Sequence, residues 1–183
     1  MDITDLSGNF LIAVPRMEDP NFKRAVVLMC EHTKEGAFGL IINKILMNSF
    51  KPLLPAFEIK KTCVDIPIYY GGPVRPEQGY VIYSPFDGKY GAIKITESLA
   101  VTASKDILHD IAKGRGPERY MLALGFSGWA PNQLEEELMM EGWLVAPLNF
   151  DIVFEMPSAD RWKEAAALIG VDFERFFCSS GSA

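Results

Sequence analysis

Apolar positions along this chain gather in short unbroken runs, and only a few stretches carry a helical period. Ala25–Cys30 and Gly39–Ile42 are continuous apolar runs, separated by the polar, glycine-bearing stretch Glu31–Phe38. Runs this short predict strands covered on both faces. Ile66–Tyr70, Tyr80–Tyr83 and Ala92–Thr96 predict further strands, each closed by Gly, Pro or Asp. Tyr120–Phe126 is another, and Leu144–Ala146 and Asp151–Phe154 are two short ones.

Three stretches carry start and stop signals for helices. Ser104 is placed to cap Lys105–Lys113, with Ile107, Leu108 and Ile111 on one stripe and Gly114 at the stop. Asn132 is placed to cap Gln133–Glu141, with Glu135 where a capping box wants an acid. Four glutamates keep most of that helix wet, and Leu134 and Leu138 form a narrow apolar stripe. Ser158 is placed to cap Ala159–Ile169, where Trp162, Ala165, Ala166 and Ile169 share a face and Gly170 ends the run. Asp172 then starts a turn that sets Phe173, Phe176 and Phe177 as a lid on the core. Ser49–Phe57 admits a short helix against the opposition of Pro52 and Pro55.

Many strands with three or four helices, out of regular alternation, predict an α+β class. The sheet is expected to be mixed and strongly curved, as in a half-closed barrel. Residues 1–178 read as one domain, and the low-complexity tail 179–183 is expected to fray.

Composition narrows the functional classes. The 183 residues are 49% hydrophobic and 23% charged, which excludes a disordered chain and a coiled coil. The net charge of −6 argues against a protein that lives by neutralising nucleic-acid phosphates. Cys30, Cys63 and Cys178 lie far apart, an odd set without a CxxC pair, so neither a disulfide framework nor a zinc site is expected. Cys30 reads as a buried core thiol. Lys60 and Lys61 could lower the pKa of Cys63, but no base stands near it. The first apolar stretch, Phe10–Val14, is short and follows Asp2 and Asp5, unlike a secretory signal, and no run could span a bilayer. A cytoplasmic protein is the expectation.

Three segments could carry chemistry. In Glu31-His32, an acid and an imidazole stand side by side at a strand end. Strand neighbours point to opposite faces, so the two share a pocket only if the strand bends. His32 alone could serve as a general base, which needs a partner group. The simpler reading is a ring hydrogen-bonded to the following turn. His109 reads as a surface residue, and two lone histidines make no metal site. In Gly71-Gly72-Pro73-Val74, free N–H groups could form an anion-binding nest. A tight turn is the default there, and Val74-Arg75-Pro76 lacks the lysine of a phosphate loop.

The third segment, Gly125-Phe126-Ser127-Gly128-Trp129, runs from a strand toward a helix start where a ligand could meet free N–H groups. It is not a nucleophile elbow, because Trp129 replaces the last glycine of G-x-S-x-G. Trp129 reads as a core anchor. The basic stretch Lys113–Arg119 reads as a solvated loop.

Taken in order, these segments resemble the AlgH/YqgE family of bacterial proteins. The resemblance rests on Gly8–Ala13, Met17–Phe22, Glu31-His32 and Gly36–Asn43. It continues through Gly71–Val74, Gly125–Trp129, Gln133-Leu134-Glu135 and Trp143-Leu144. Asn132 stands where the family commonly has glycine, and Ala25 where it has Ser or Thr. The resemblance implies a curved, bifurcated sheet forming a pseudo-barrel. It also implies a transcriptional-regulator label linked with alginate production in some bacteria, and it supplies no catalytic residues.

The leading expectation is a regulatory binding module without catalysis, cofactor or metal. Glu31, His32, Asn43, Gly71, Gly72, Pro73, Ser127, Gly128, Trp129 and Gln133 would line one groove at strand ends. A small polar or anionic ligand, or a protein partner, would sit there. The alternatives are a hydrolase or transferase using His32 with Glu31, Ser127 or Glu137, and a regulator that binds DNA directly.

Overall fold

The computed structural model describes residues 5–175. Strand β1 (Phe10–Ala13) lies between β10 (Trp143–Ala146) and β2 (Val26–Thr33), and β2 turns back into β3 (Gly36–Ile41). Alternate residues explain the unbroken apolar runs. Phe10, Ile12, Val26, Leu28 and Leu40 enter one buried cluster, while Leu11, Ala13, Val27, Met29 and Ile41 enter another on the opposite face. Both faces of this part of the sheet are therefore covered, and period-2 alternation puts apolar side chains on each.

The long strand β9 (Arg119–Trp129) joins this half to a second half made of β6 (Val74–Ser84), β8 (Ala100–Thr102) and β7 (Ile93–Lys94). The strand order is β10-β1-β2-β3-β9-β6-β8-β7, with β4 (Ile45–Met47) and β5 (Ile68–Tyr70) branching off. The branch has a simple cause. A strand has two edges, and β6 takes one edge of β9. The other is divided: β5 pairs in parallel with Leu122–Leu124, and β3 pairs antiparallel with Ser127–Trp129. The sheet is mixed and bifurcated, as expected, and it does not close into a barrel.

At the fork, chains approach closer than any side chain allows. The Gly71 N–H donates to Leu124 O at 2.8 Å, and Gly71 O accepts from Ile41 N at 2.9 Å and from Ser127 Oγ at 3.1 Å. A Cβ on Gly72 would fall 2.2 Å from the Phe126 carbonyl carbon and oxygen. A Cβ on Gly125, which has φ +72°, would fall 2.3 Å from Gly72 O.

Helices cover the sheet. α1 (Lys105–Ala112) packs Ile107, Leu108 and Ile111 on the β6–β8 half, together with the single turn at Lys51–Leu53. Ser104 caps α1 as expected, its side chain accepting from Asp106 N at 3.2 Å. α4 (Arg161–Ala167) buries Trp162, Ala165 and Ala166 as its period requires, but it ends before Ile169, which the period placed on the same face and which is exposed; Phe173 stacks on Trp162 with ring centroids 4.2 Å apart. Phe176, Phe177, Cys178 and the tail fall outside the described residues. α2 (Gln133–Met139) buries only Leu134.

Several local expectations are corrected. Asp151–Phe154 is not a strand: Phe150–Phe154 forms helix α3, capped by Asn149, whose Oδ1 accepts from Ile152 N at 3.1 Å. Asn132 does not cap α2 through its side chain. Its backbone is left-handed, at φ +66°, and the Gln133 side chain instead accepts from Ala130 N at 3.0 Å. Asp160, rather than Ser158, stands at the start of α4, without a side-chain cap bond. Phe10–Ala13, Ile45–Met47 and Ala100–Thr102 are strands beyond those the apolar pattern marks.

The fork gives a direct test. Gly72→Ala should cost about 2–4 kcal/mol of folding stability, because overlap with backbone cannot relax by rotamer change. Gly88→Ala shares a positive φ but meets nothing within 4 Å, and should cost only about 1 kcal/mol. Urea denaturation of the two variants measures the difference.

Candidate functional site

β2 presents Glu31 to solvent and buries His32, as alternation along a strand demands. His32 Nδ1 accepts from Leu6 N at 3.2 Å, and Nε2 lies 2.9 Å from Glu135 Oε1 on α2. With Nδ1 accepting, the partners assign the ring proton to Nε2, which donates to the carboxylate. Neither nitrogen keeps a lone pair for proton abstraction. His32 is thus a tie between the segment before β1, the β2–β3 hairpin and α2, and its partner is not the following turn. Partial burial raises the Glu135 pKa. Its own backbone N–H and the His32 hydrogen bond outweigh that and hold it below the ordinary value.

The other sequence-marked residues divide between roles. Asn43 Oδ1 accepts from Val26 N and Nδ2 donates to Arg24 O, both at 2.8 Å, so it stitches the start of β2 to the end of β3. Gly71, Gly72 and the fully buried Ser127 meet at the fork, and Pro73 is exposed beside it. Glu31 lines a groove of about 420 Å³ with Phe38, Tyr80 and Phe126, whose rings pack with centroids 5.3–5.9 Å apart. Gly128, Trp129 and Gln133 line a different cavity. The three loops are therefore contiguous through the fork, while their open surfaces belong to two hollows.

The second hollow, of about 300 Å³, is walled by Met17, Asp19, Phe22, Trp129, Glu137 and Trp143, together with Gly128, Gln133, Met140 and Gly142. Its organising group is Glu137. One carboxylate oxygen accepts from both indoles, Trp129 Nε1 at 2.9 Å and Trp143 Nε1 at 2.8 Å; the other accepts from Gln133 Nε2 at 3.0 Å. Gln133 and Glu137 meet because residues four apart share a helix face. Phe22 closes against both indoles, 5.5 Å from Trp143 and 6.1 Å from Trp129. Trp129 is a core anchor, 6% exposed, that shows one edge to this hollow.

The wall is acidic. Glu137 forms no ion pair with a lysine or arginine among the described residues. Asp19 sits on the rim of the loop that carries Phe22, and its carboxylate accepts from Asn21 N at 2.8 Å. Lys44 braces that loop from behind, donating to Pro20 O at 3.3 Å and Asn21 O at 2.8 Å, and Tyr70 Oη donates to Asn21 Oδ1 at 2.7 Å. Burial depresses the Lys44 pKa, and the nearby Asp19 charge partly restores it.

Elsewhere, Cys30 is buried, and burial followed by the Glu31 charge raises its thiol pKa. Cys63 is exposed. Among the described residues no cluster of three His, Cys, Asp or Glu side chains is placed to hold a metal, and no helix is long and apolar enough to cross a membrane.

Two outcomes check the ties. Glu137→Ala leaves two indole N–H groups without their acceptor and should cost about 2–4 kcal/mol, with a shift in tryptophan emission. The Glu135 pKa is depressed in the folded state. Its stabilisation is therefore complete above the unfolded value of 4.5 and is lost as pH falls through the lower folded value. Glu135→Gln should flatten the acid limb of stability against pH, as measured by urea midpoints at successive pH values.

A family model described as AlgH-like matches residues 10–174. A UPF0301 protein of Nitrosococcus oceani is 39% identical over 96% of this chain and 96% of its own length. One from Methylococcus capsulatus is also 39% identical, over 96% and 95%. The solution structure of the AlgH protein from Pseudomonas aeruginosa superposes with a TM-score of 0.82 at 36% identity, covering 100% of this chain and 98% of that one. A Corynebacterium diphtheriae crystal structure, at 23% identity and a TM-score of 0.70 over 90% and 87%, shares the fold. The β-fork, the glycines that permit it and the tryptophan-lined hollow thus stand in a chain that belongs to the AlgH-like family of UPF0301 proteins.

Proposed function

We propose that this chain is a regulatory binding module whose tryptophan-lined hollow receives an organic cation, an ammonium or guanidinium group. The observation that supports this reading is the make-up of the wall. Three aromatic rings, Phe22, Trp129 and Trp143, stand with two carboxylates, Asp19 and Glu137, and no lysine or arginine lines the space. Aromatic faces attract cations with roughly 0.5–2 kcal/mol each, and more when water is excluded. A half-buried carboxylate satisfied only by neutral donors keeps its negative potential directed into the hollow. The same charge disfavours the anionic ligand that the glycine turns alone would admit.

A regulatory role built on this site runs through the bound cation or the partner that presents it. The net charge of −6 weighs against direct contact with DNA. Neither His32 nor Ser127 supports the hydrolase alternative, since the His32 nitrogens are both occupied and Ser127 Oγ donates to Gly71 O.

Titration with tetramethylammonium, putrescine and an arginine amide tests the reading. Saturable shifts of the Trp129 and Trp143 indole N–H signals are expected. Added salt should weaken them, and Asp19→Asn should weaken them about three- to tenfold. Shifts with acetate or phosphate instead of the cations would overturn it.

A further inference from the structure

Arg161 lies away from that hollow, at the start of α4, and is 3% exposed. Its contacts are all neutral. Nε donates to Met156 O at 2.9 Å, Nη1 to Ile42 O, and Nη2 to Tyr69 Oη at 3.2 Å; Nη1 also lies 3.8 Å from Met121 Sδ. The guanidinium carbon sits 5.1 Å from the Tyr69 ring centroid. No carboxylate pairs with it among the described residues. Buried charges are normally paired with an opposite charge, because removing an ion from water is costly.

Beside this cation is a cavity of about 120 Å³, lined by Ile66, Pro67, Tyr69, Tyr120, Met121, Leu122, Val153, Phe154 and Arg161 itself. Some 10–15 Å³ of such space holds one water, so there is room for an ion of several atoms. The wall contains no acid. Of the five guanidinium N–H groups, the second on Nη2 has no protein acceptor among the described residues. Tyr69 Oη accepts from Arg161, and its own hydroxyl hydrogen has no acceptor among them either.

We propose that this cavity is a binding site for a small oxyanion, a carboxylate or phosphate group, with Arg161 as its counter-charge. The anion would accept from the spare Nη2–H and from the Tyr69 hydroxyl, a two-point contact in which one donor is charged. Ligation would complete the ion pair that the fold leaves open, and would fasten α3 and α4 to the β5–β9 edge. The site differs from the cation hollow in place and in sign, so either can fail without the other.

Sodium acetate, sodium phosphate and sodium chloride at matched ionic strength are the probes, read by the NMR signal of the Arg161 Nε–H and by thermal midpoint. Acetate or phosphate should shift the Nε–H signal saturably and raise the midpoint, and the stronger of the two identifies the headgroup. Tyr69→Phe keeps the packing and removes one donor, so it should weaken binding at least tenfold. Arg161→Met should abolish the response; should that variant not fold, Tyr69→Phe alone decides. An Nε–H signal unmoved by either anion would overturn the site. So would an equal response to chloride, or a response unchanged in Tyr69→Phe.

Discussion

The fold depends on three strands sharing one point. β9 gives a single edge to both β5 and β3, and the chain can pass from one partner to the other only if backbones nearly touch. Glycine at 71, 72 and 125 makes that possible, since any Cβ there would enter a neighbouring peptide group. The carbonyl of Gly71 accepts from Ile41 and from Ser127, so this buried acceptor is fully paired. Ser127 thereby finds a use that has nothing to do with nucleophilic chemistry. From this point the two halves of the sheet diverge, each with an apolar cluster of its own on one face, while a third cluster runs across both, from Phe10 and Leu28 to Ile82 and Val101.

The polar ties follow from that geometry. Once β3 pairs with the end of β9, Trp129 lies opposite Ala37 and the chain must enter α2 within a few residues. α2 is short and buries one leucine, which is too little apolar surface to hold a helix alone. Glu135 and Glu137 supply the remainder by binding His32 and the two indoles. The glutamates that make the helix look solvated in the sequence are the groups that dock it. Their charge then becomes a property of the surface they help to build, and it sets the sign of what that surface can bind.

Much of this was readable from residues, and the rest failed for definable reasons. Ala25–Cys30 and Gly39–Ile42 read as doubly covered strands because both side-chain sets are apolar. Asp151–Phe154 defeats the same logic, because four residues cannot distinguish a period of 2 from one of 3.6; the Asn149 cap decides it. Gly128, Trp129 and Gln133 are legible as a strand-to-helix turn. Phe22 and Trp143 are not legible as their neighbours, since only β1 pairing with β10 and β2 brings them there. The His32–Glu135 tie spans 103 residues and leaves no local pattern. Arg161 looks like an ordinary helix-start cation until the fold seals it.

The docking of α2 by titratable groups has one more consequence. The helix sits on the sheet through carboxylates, whereas the strands beneath it hold each other through backbone bonds and apolar burial that protons do not disturb. Glu135 is held ionised below its ordinary pKa by its own backbone N–H and by His32, so acidification costs α2 the His32 tie, while the backbone pairing of the strands beneath is untouched by protons. The attachment of α2 thus answers to acidity at one named bond, laid over a sheet whose own pairing contains no titratable link.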